Sequence, residues 1–241
     1  MPEPISRTAD AYPVPDLAAK FHAMWGDAET ALAEGTYNAD SLPRHGDPRW
    51  GLSLVVPIDG AIRDAIAQDL GPIAAALSPH HFTYLPGNLH STVCSLEGYQ
   101  DQVPQHQVDY YADLVQTALK DCPPIEIELS GLGGSKGGLF VCGVPSDGLV
   151  QLRTRLHEAC TAEGPRAFVS NDYTTVRDIA HVSVAVFQAP VVPEWSIGGV
   201  VSARREKRYG TVRPATLDLV RYDLAGGELT MSCLAGIDCA R

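Results

Sequence analysis

The chain has 241 residues, of which 45% are hydrophobic and 20% charged, a balance that excludes disordered and fibrous classes and suits one core or two small lobes. A formal net charge of −11 excludes a bulk nucleic-acid binder, because such a surface repels a phosphate backbone at long range. No apolar run approaches the roughly 20 residues a bilayer needs and no signal peptide is visible, so a cytoplasmic protein without membrane contact is expected.

Residues 1–50 hold Pro2, Pro4, Pro13, Pro15, Pro43 and Pro48 around one helical stretch, 16–34. Asp16 is placed to cap it, and Leu17, Phe21, Met24 and Trp25 share a face. This segment reads as an extension packed on a main domain, 51–241, beside its site. Residues 51–57 read as a buried strand ended by proline, and Ile62, Ile66, Leu70, Ile73 and Leu77 keep helical spacing after it. A short strand at 82–85, a Pro86-Gly87 turn and a strand at 89–96 follow, then a helix from 107 to 120 closed by Pro123-Pro124.

The second half opens with a period-two strand at 125–129 and a glycine-rich stretch, 131–138, read as a turn into a strand at 139–144. Leu149, Leu152, Leu156 and Ala159 mark an amphipathic helix. Residues 179–187, 216–222 and 228–234 read as strands, the last two joined by a hairpin turn at 225–227. Strands that alternate with helices and are linked by hairpins predict an α+β fold, not a doubly wound parallel sheet. The six cysteines are scattered without a C-x-x-C pair, so reduced, buried thiols and no zinc site are expected.

Two segments share one form: His90-Ser91-Thr92-Val93 and His181-Val182-Ser183-Val184. Residues i and i+2 of a strand point to the same face, so each motif presents an imidazole with a hydroxyl. Such a set suits phosphodiester cleavage without a metal. One imidazole can act as base on the attacking oxygen and the other as acid on the leaving oxygen. The hydroxyls of Thr92 and Ser183 can donate to the non-bridging phosphate oxygens. With eight histidines, about one such match arises by chance, and His81-Phe82-Thr83 is a third. The pair gains weight because each motif ends a half built of strand, helix and strand.

In these features the chain resembles the two-histidine (2H) phosphoesterases, which include bacterial 2′-5′ RNA ligase-like proteins. The resemblance spans about 51–234. It rests on the opening strand 52–57, the stretch from Phe82 through Val93, the hairpin 132–144, the second motif strand and the closing hairpin 217–234. It implies a bilobal, pseudo-two-fold α+β fold, with two antiparallel sheets flanked by helices around a central cleft. It also implies metal-independent opening of 2′,3′-cyclic phosphates or related phosphodiesters, with His181 as base and His90 as acid as in some relatives, or the two roles reversed as in other branches. Under this register His81 is a decoy, falling nine residues early, and His80 and His81 are expected in surface or turn roles. His22, His45, His106 and His157 are expected to be solvated. Ser91 departs from the apolar residue more usual at its place, Ser183 stands for a commoner threonine, and Ala185-Val186-Phe187-Gln188 lacks a basic residue.

Further candidates are weaker. Tyr84 and Tyr173 could stack on a base, Lys136 in the glycine-rich stretch could reach a substrate, and Arg204 and Arg205 open a basic cluster that could hold phosphate. For each, a structural or solvated role is the alternative. No cofactor and no metal are expected. The expected partner is a nucleotide, a short RNA end or a small cyclic phosphoester. A non-catalytic phosphate-binding module is the rival reading.

Overall fold

Asp16 accepts a hydrogen bond from the Ala19 backbone N–H at 3.1 Å, and Gly35, at φ 70°, closes the helix these residues bracket. In a computed structural model of the chain, which describes residues 16–40, 50–162, 176–188, 192–225 and 228–239, this is α1, Leu17–Glu34. The first half continues with β1 (Ser53–Pro57), α2 (Gly60–Ala76), β2 (Phe82–Thr83), a 3-10 turn (Pro86–Asn88), β3 (His90–Ser95) and α3 (Gln105–Ala118). The second half comprises β4 (Ile127–Ser135), β5 (Gly138–Pro145), α4 (Asp147–Ala162), β6 (Ala180–Val186), α5 (Ile197–Ser202), β7 (Arg208–Val212), β8 (Thr216–Ala225) and β9 (Glu228–Asp238).

The strands lie in the order β7-β4-β5-β6-β3-β1-β8-β9, with β2 added on β6, and the pairs are antiparallel. From the middle outward, β3-β1-β8-β9 and β6-β5-β4-β7 mirror each other, and both β1-α2-β3 and β5-α4-β6 join neighbouring strands through a helix. The two antiparallel sheets expected from the sequence are therefore present, but they share a seam. Ser91 of β3 pairs with Val182 of β6 and makes one continuous path. The helices exchange sides: α2 reaches β7 and α5, while α4 packs on β3 and α3. Val182, Val184, Leu89 and Val93 are buried in the core between sheet and helices, which fits the alternation along the motif strands.

Two expectations change. The glycine-rich stretch 131–138 is mostly strand: β4 runs to Ser135, and Lys136-Gly137 alone turn the chain. Its glycines answer to close approach. A Cβ at Gly133 would stand 3.0 Å from the Cys142 sulfur, and one at Gly131, which has φ 78°, would stand 2.5 Å from the Arg205 carbonyl. His81 is not at the surface. Its Nδ1 accepts from the Gln188 N–H at 3.0 Å, and Nε2 lies 3.3 Å from both the Tyr37 hydroxyl and the Glu194 carboxylate. These partners satisfy a buried imidazole that a solvated turn would not need.

Candidate phosphoesterase site

The seam pair sets the site. One step along an antiparallel ladder on either side of Ser91↔Val182 puts His90 across from Ser183 and Thr92 across from His181. Ser91 and Val182 point into the core, where they are 1% and 0% exposed. Their neighbours Thr92, His181 and Ser183 are half-buried on the opposite face. The two imidazoles thus occupy one diagonal and the two hydroxyls the other. Diagonal neighbours on a sheet face are about 7–8 Å apart, enough to hold a phosphate between them. On the flanking strands Val55 and Pro57 sit beside Thr92 and His90, and Phe140 and Cys142 beside Ser183 and His181.

His90 is held at both nitrogens. Nδ1 lies 2.8 Å from the Asn88 carbonyl oxygen and Nε2 2.8 Å from the Tyr222 hydroxyl. Burial lowers its pKa from the usual value, against a smaller opposing pull from the Asn88 carbonyl. His181 lies with its ring 4.9 Å from that of Phe140. Burial first, then the nearby cations Arg177 and Arg153, push its pKa down to about 3. Both imidazoles rest neutral near pH 7.

Arg153 ties the motif strands together from below. Its guanidinium donates to the carbonyls of Thr92 (2.9 Å) and Val93 (3.2 Å) on β3, and of Arg177 (3.0 Å) and Ile179 (2.9 Å) just before β6. Burial lowers its pKa to about 10, so it stays charged. Sequence reasoning missed Arg153, Asn88 and Tyr222. Arg153 carried a signal: on α4 it falls one helical turn from Leu149 and from Leu156, a charge on the apolar face.

The weaker candidates separate. Tyr84 is buried, with its ring 5.9 Å from His90. Arg204 does not face the cleft cluster: its Nε binds the Asp69 carboxylate at 2.6 Å, alongside Lys207 at 2.6 Å and the Tyr209 hydroxyl at 2.9 Å. Burial alone would raise the pKa of Asp69, but these three hydrogen bonds outweigh it and lower the value. Lys136 is exposed at the tip of the β4–β5 hairpin. Tyr173 and His45 lie outside the described residues. Arg205 lines a cavity of about 290 Å³ with Phe21, His22 and Trp25 of α1 and Gly133 and Cys142 of the sheet. His22 touches the Arg205 guanidinium, and the Phe21 ring lies 6.0 Å from that of Phe140. The cavity therefore starts one strand from His181 and is walled by α1.

Among the described residues, no group of three or more His, Cys, Asp and Glu side chains could hold a metal ion, and no helix is long and apolar enough to cross a membrane.

No protein-family model and no curated protein matches the sequence. Solved structures do match the fold. The chain is similar to TT0787 of Thermus thermophilus, with 19% identity, 78% of this chain and 97% of that one covered, and a TM-score of 0.57. It is similar to a phosphoesterase, with 18% identity, coverage of 78% and 98%, and a TM-score of 0.52. It is also similar to E. coli LigT complexed with 3′-AMP, with 17% identity, coverage of 78% and 97%, and a TM-score of 0.51. The chain has the fold of the LigT-like two-histidine phosphoesterases.

Proposed function

We propose that this protein is a metal-independent phosphodiesterase that opens a 2′,3′-cyclic phosphate or similar phosphodiester of a nucleotide or short RNA end. The observation that carries the reading is the seam register, which sets two imidazoles and two hydroxyls on one face of the sheet, at the diagonal spacing of about 7–8 Å that suits a phosphate between them. That E. coli LigT has been seen with 3′-AMP supports a nucleotide as the ligand class.

In this reading His181 takes the proton of an attacking water as its oxygen bonds to phosphorus, and His90 gives a proton to the leaving oxygen as the ester bond breaks. Thr92 and Ser183 donate to the non-bridging oxygens, where negative charge concentrates in the transition state. Burial first, then Arg177 and Arg153, keep His181 unprotonated, the form a base needs before it takes a proton. A bound phosphate anion beside His90 favours its protonated form, which fits the acid. In this reading 51–241 is the catalytic unit and 1–50 an extension to it, of which α1 walls the cavity one strand from His181.

A second reading has the same site take a small-molecule or cyclic dinucleotide phosphoester, and the cavity between α1 and β5 supports its small-molecule form. Its volume of about 290 Å³ is at the lower limit of ligand pockets and suits one ring system. A purely phosphate-binding module would show affinity without turnover. The deciding experiment follows product from 2′,3′-cyclic nucleotides and cyclic dinucleotides in EDTA, with wild type, His90→Ala and His181→Ala. Loss of either general acid or base should slow turnover by about 10²–10⁴-fold. Mutants as fast as wild type, or activity that EDTA abolishes and a divalent ion restores, would refute the mechanism.

A further inference from the structure

The surroundings of His90 point to a residue outside the four motif side chains. A carbonyl oxygen can only accept, so the contact of 2.8 Å between Nδ1 and the Asn88 oxygen puts the ring proton on Nδ1. In the neutral ring Nε2 is then bare, and the Tyr222 hydroxyl, 2.8 Å away, donates to it. Turning the imidazole over would break both bonds at once.

Both partners are themselves anchored to one hairpin. Tyr222 stands on β8, 6% exposed, in a small apolar cluster with Val55, Val220 and Leu229, and the Trp50 ring meets it edge-on at 5.5 Å. The Asn88 side chain donates its Nδ2 to the Leu229 backbone oxygen on β9 at 3.0 Å. A closed circuit results: Asn88 to His90, His90 to Tyr222, Tyr222 across the cluster to Leu229, and Leu229 back to Asn88. The β8–β9 hairpin therefore clasps the first motif from outside the seam.

We propose that Tyr222 is a positioning residue for His90: with Asn88 it locks the imidazole of the substrate-free site in the Nδ1–H tautomer with Nε2 against the hydroxyl, and the leaving oxygen takes the hydroxyl's place at Nε2 when substrate binds. A hydroxyl is the group suited to this place because it can reverse. It donates to bare Nε2 in the resting site and accepts from Nε2–H once the ring is protonated, so the ring of the substrate-free site is held in either state until the leaving oxygen displaces the hydroxyl. A phenylalanine would fill the same apolar cluster and do neither. The role of Tyr222 in turnover rests on the phosphodiesterase reading, whereas its grip on the tautomer does not.

The test uses the full chain with ¹⁵N-labelled histidine and the variant Tyr222→Phe. In wild type, His90 should give a protonated Nδ1 signal and a pyridine-type Nε2 signal displaced by a hydrogen bond. In Tyr222→Phe the Nε2 signal should move to the unbonded position while Nδ1 stays. Turnover should fall roughly 5- to 10-fold, the scale of one neutral hydrogen bond, at little-changed KM. Asn88→Ala, which keeps the carbonyl and cuts the anchor to Leu229, should broaden the same signals. A His90 that carries its proton on Nε2 in wild type, or an Nε2 signal unmoved by Tyr222→Phe, would overturn the proposal. If wild type turns over no phosphodiester and Nε2 still shifts, the functional reading fails and the clamp stands. If turnover occurs while neither Nε2 nor kcat responds, the clamp alone fails.

Discussion

Replacing Arg153 should damage both stability and turnover, because one guanidinium serves the backbones of both motif strands. It makes four hydrogen bonds to carbonyls, at 2.9 to 3.2 Å, two on β3 and two on the segment entering β6. Bonds from a charged donor contribute about 1.5–3 kcal/mol each, so simple addition gives roughly 6–12 kcal/mol. That sum overshoots, because removing the group also removes the desolvation of a buried charge, and neighbouring bonds do not add. Arg153→Met keeps the apolar stem and orphans the carbonyls, and should cost about 3–5 kcal/mol, the range for removing one member of a buried charged pair. Arg153→Lys keeps the charge but loses the planar fork, and should cost about half as much. Urea unfolding at neutral pH reads the loss as a lower midpoint at unchanged slope. With the strands no longer tied, His181 and Thr92 should lose their mutual placement, and kcat should fall by about 10² or more in the fraction that remains folded. An Arg153→Met protein within about 1 kcal/mol of wild type, with undiminished kcat, would refute the view that this side chain sets the seam.

Three further predictions follow from the same geometry. Ser91 Oγ is buried without a hydrogen-bond partner among the described residues, on the core side of β3, so Ser91→Ala should stabilise the protein by about 1 kcal/mol and leave turnover intact; a clear destabilisation would place Ser91 on the other face. His181 is held at about 3, below the ordinary 6.5, so between pH 6.5 and 3 the unfolded chain binds a proton that the folded chain refuses. Stability should be complete above about 6.5 and fall with pH through that window, and His181→Asn should flatten the slope in urea midpoints measured from pH 7.5 to 4. Ala18 is exposed on α1 and lines the cavity beside Cys142, so Ala18→Trp should raise KM for a nucleoside cyclic phosphate several-fold with kcat nearly unchanged. An unchanged KM would separate that cavity from the substrate path.

The elements were largely legible in the sequence because their signals are local. The cap at Asp16, the spacing of Ile66, Leu70 and Ile73, and the alternation in His181-Val182-Ser183-Val184 act within a few residues. The misreadings have equally specific causes. Glycines at 131–134 looked like a turn, but they are needed where Cys142, Leu139, Trp25 and the Arg205 carbonyl crowd the β4 backbone. His81 looked solvated because its partners, Tyr37, Gln188 and Glu194, come from segments far away in the chain. Arg204 and Arg205 look alike in sequence, yet one neutralises Asp69 and the other edges the cavity.

By itself, then, the sequence determined the two motifs, the strands that carry them and the face on which each sets its imidazole and hydroxyl, because a strand's two-residue period allows nothing else. Only the tertiary structure decided how the motifs meet. The Ser91↔Val182 register, the Arg153 guanidinium beneath it and the Tyr222 hydroxyl on His90 join residues between 24 and 132 positions apart. No local periodicity encodes such pairings; they are settled by which arrangement buries the core face while leaving no strand carbonyl unsatisfied.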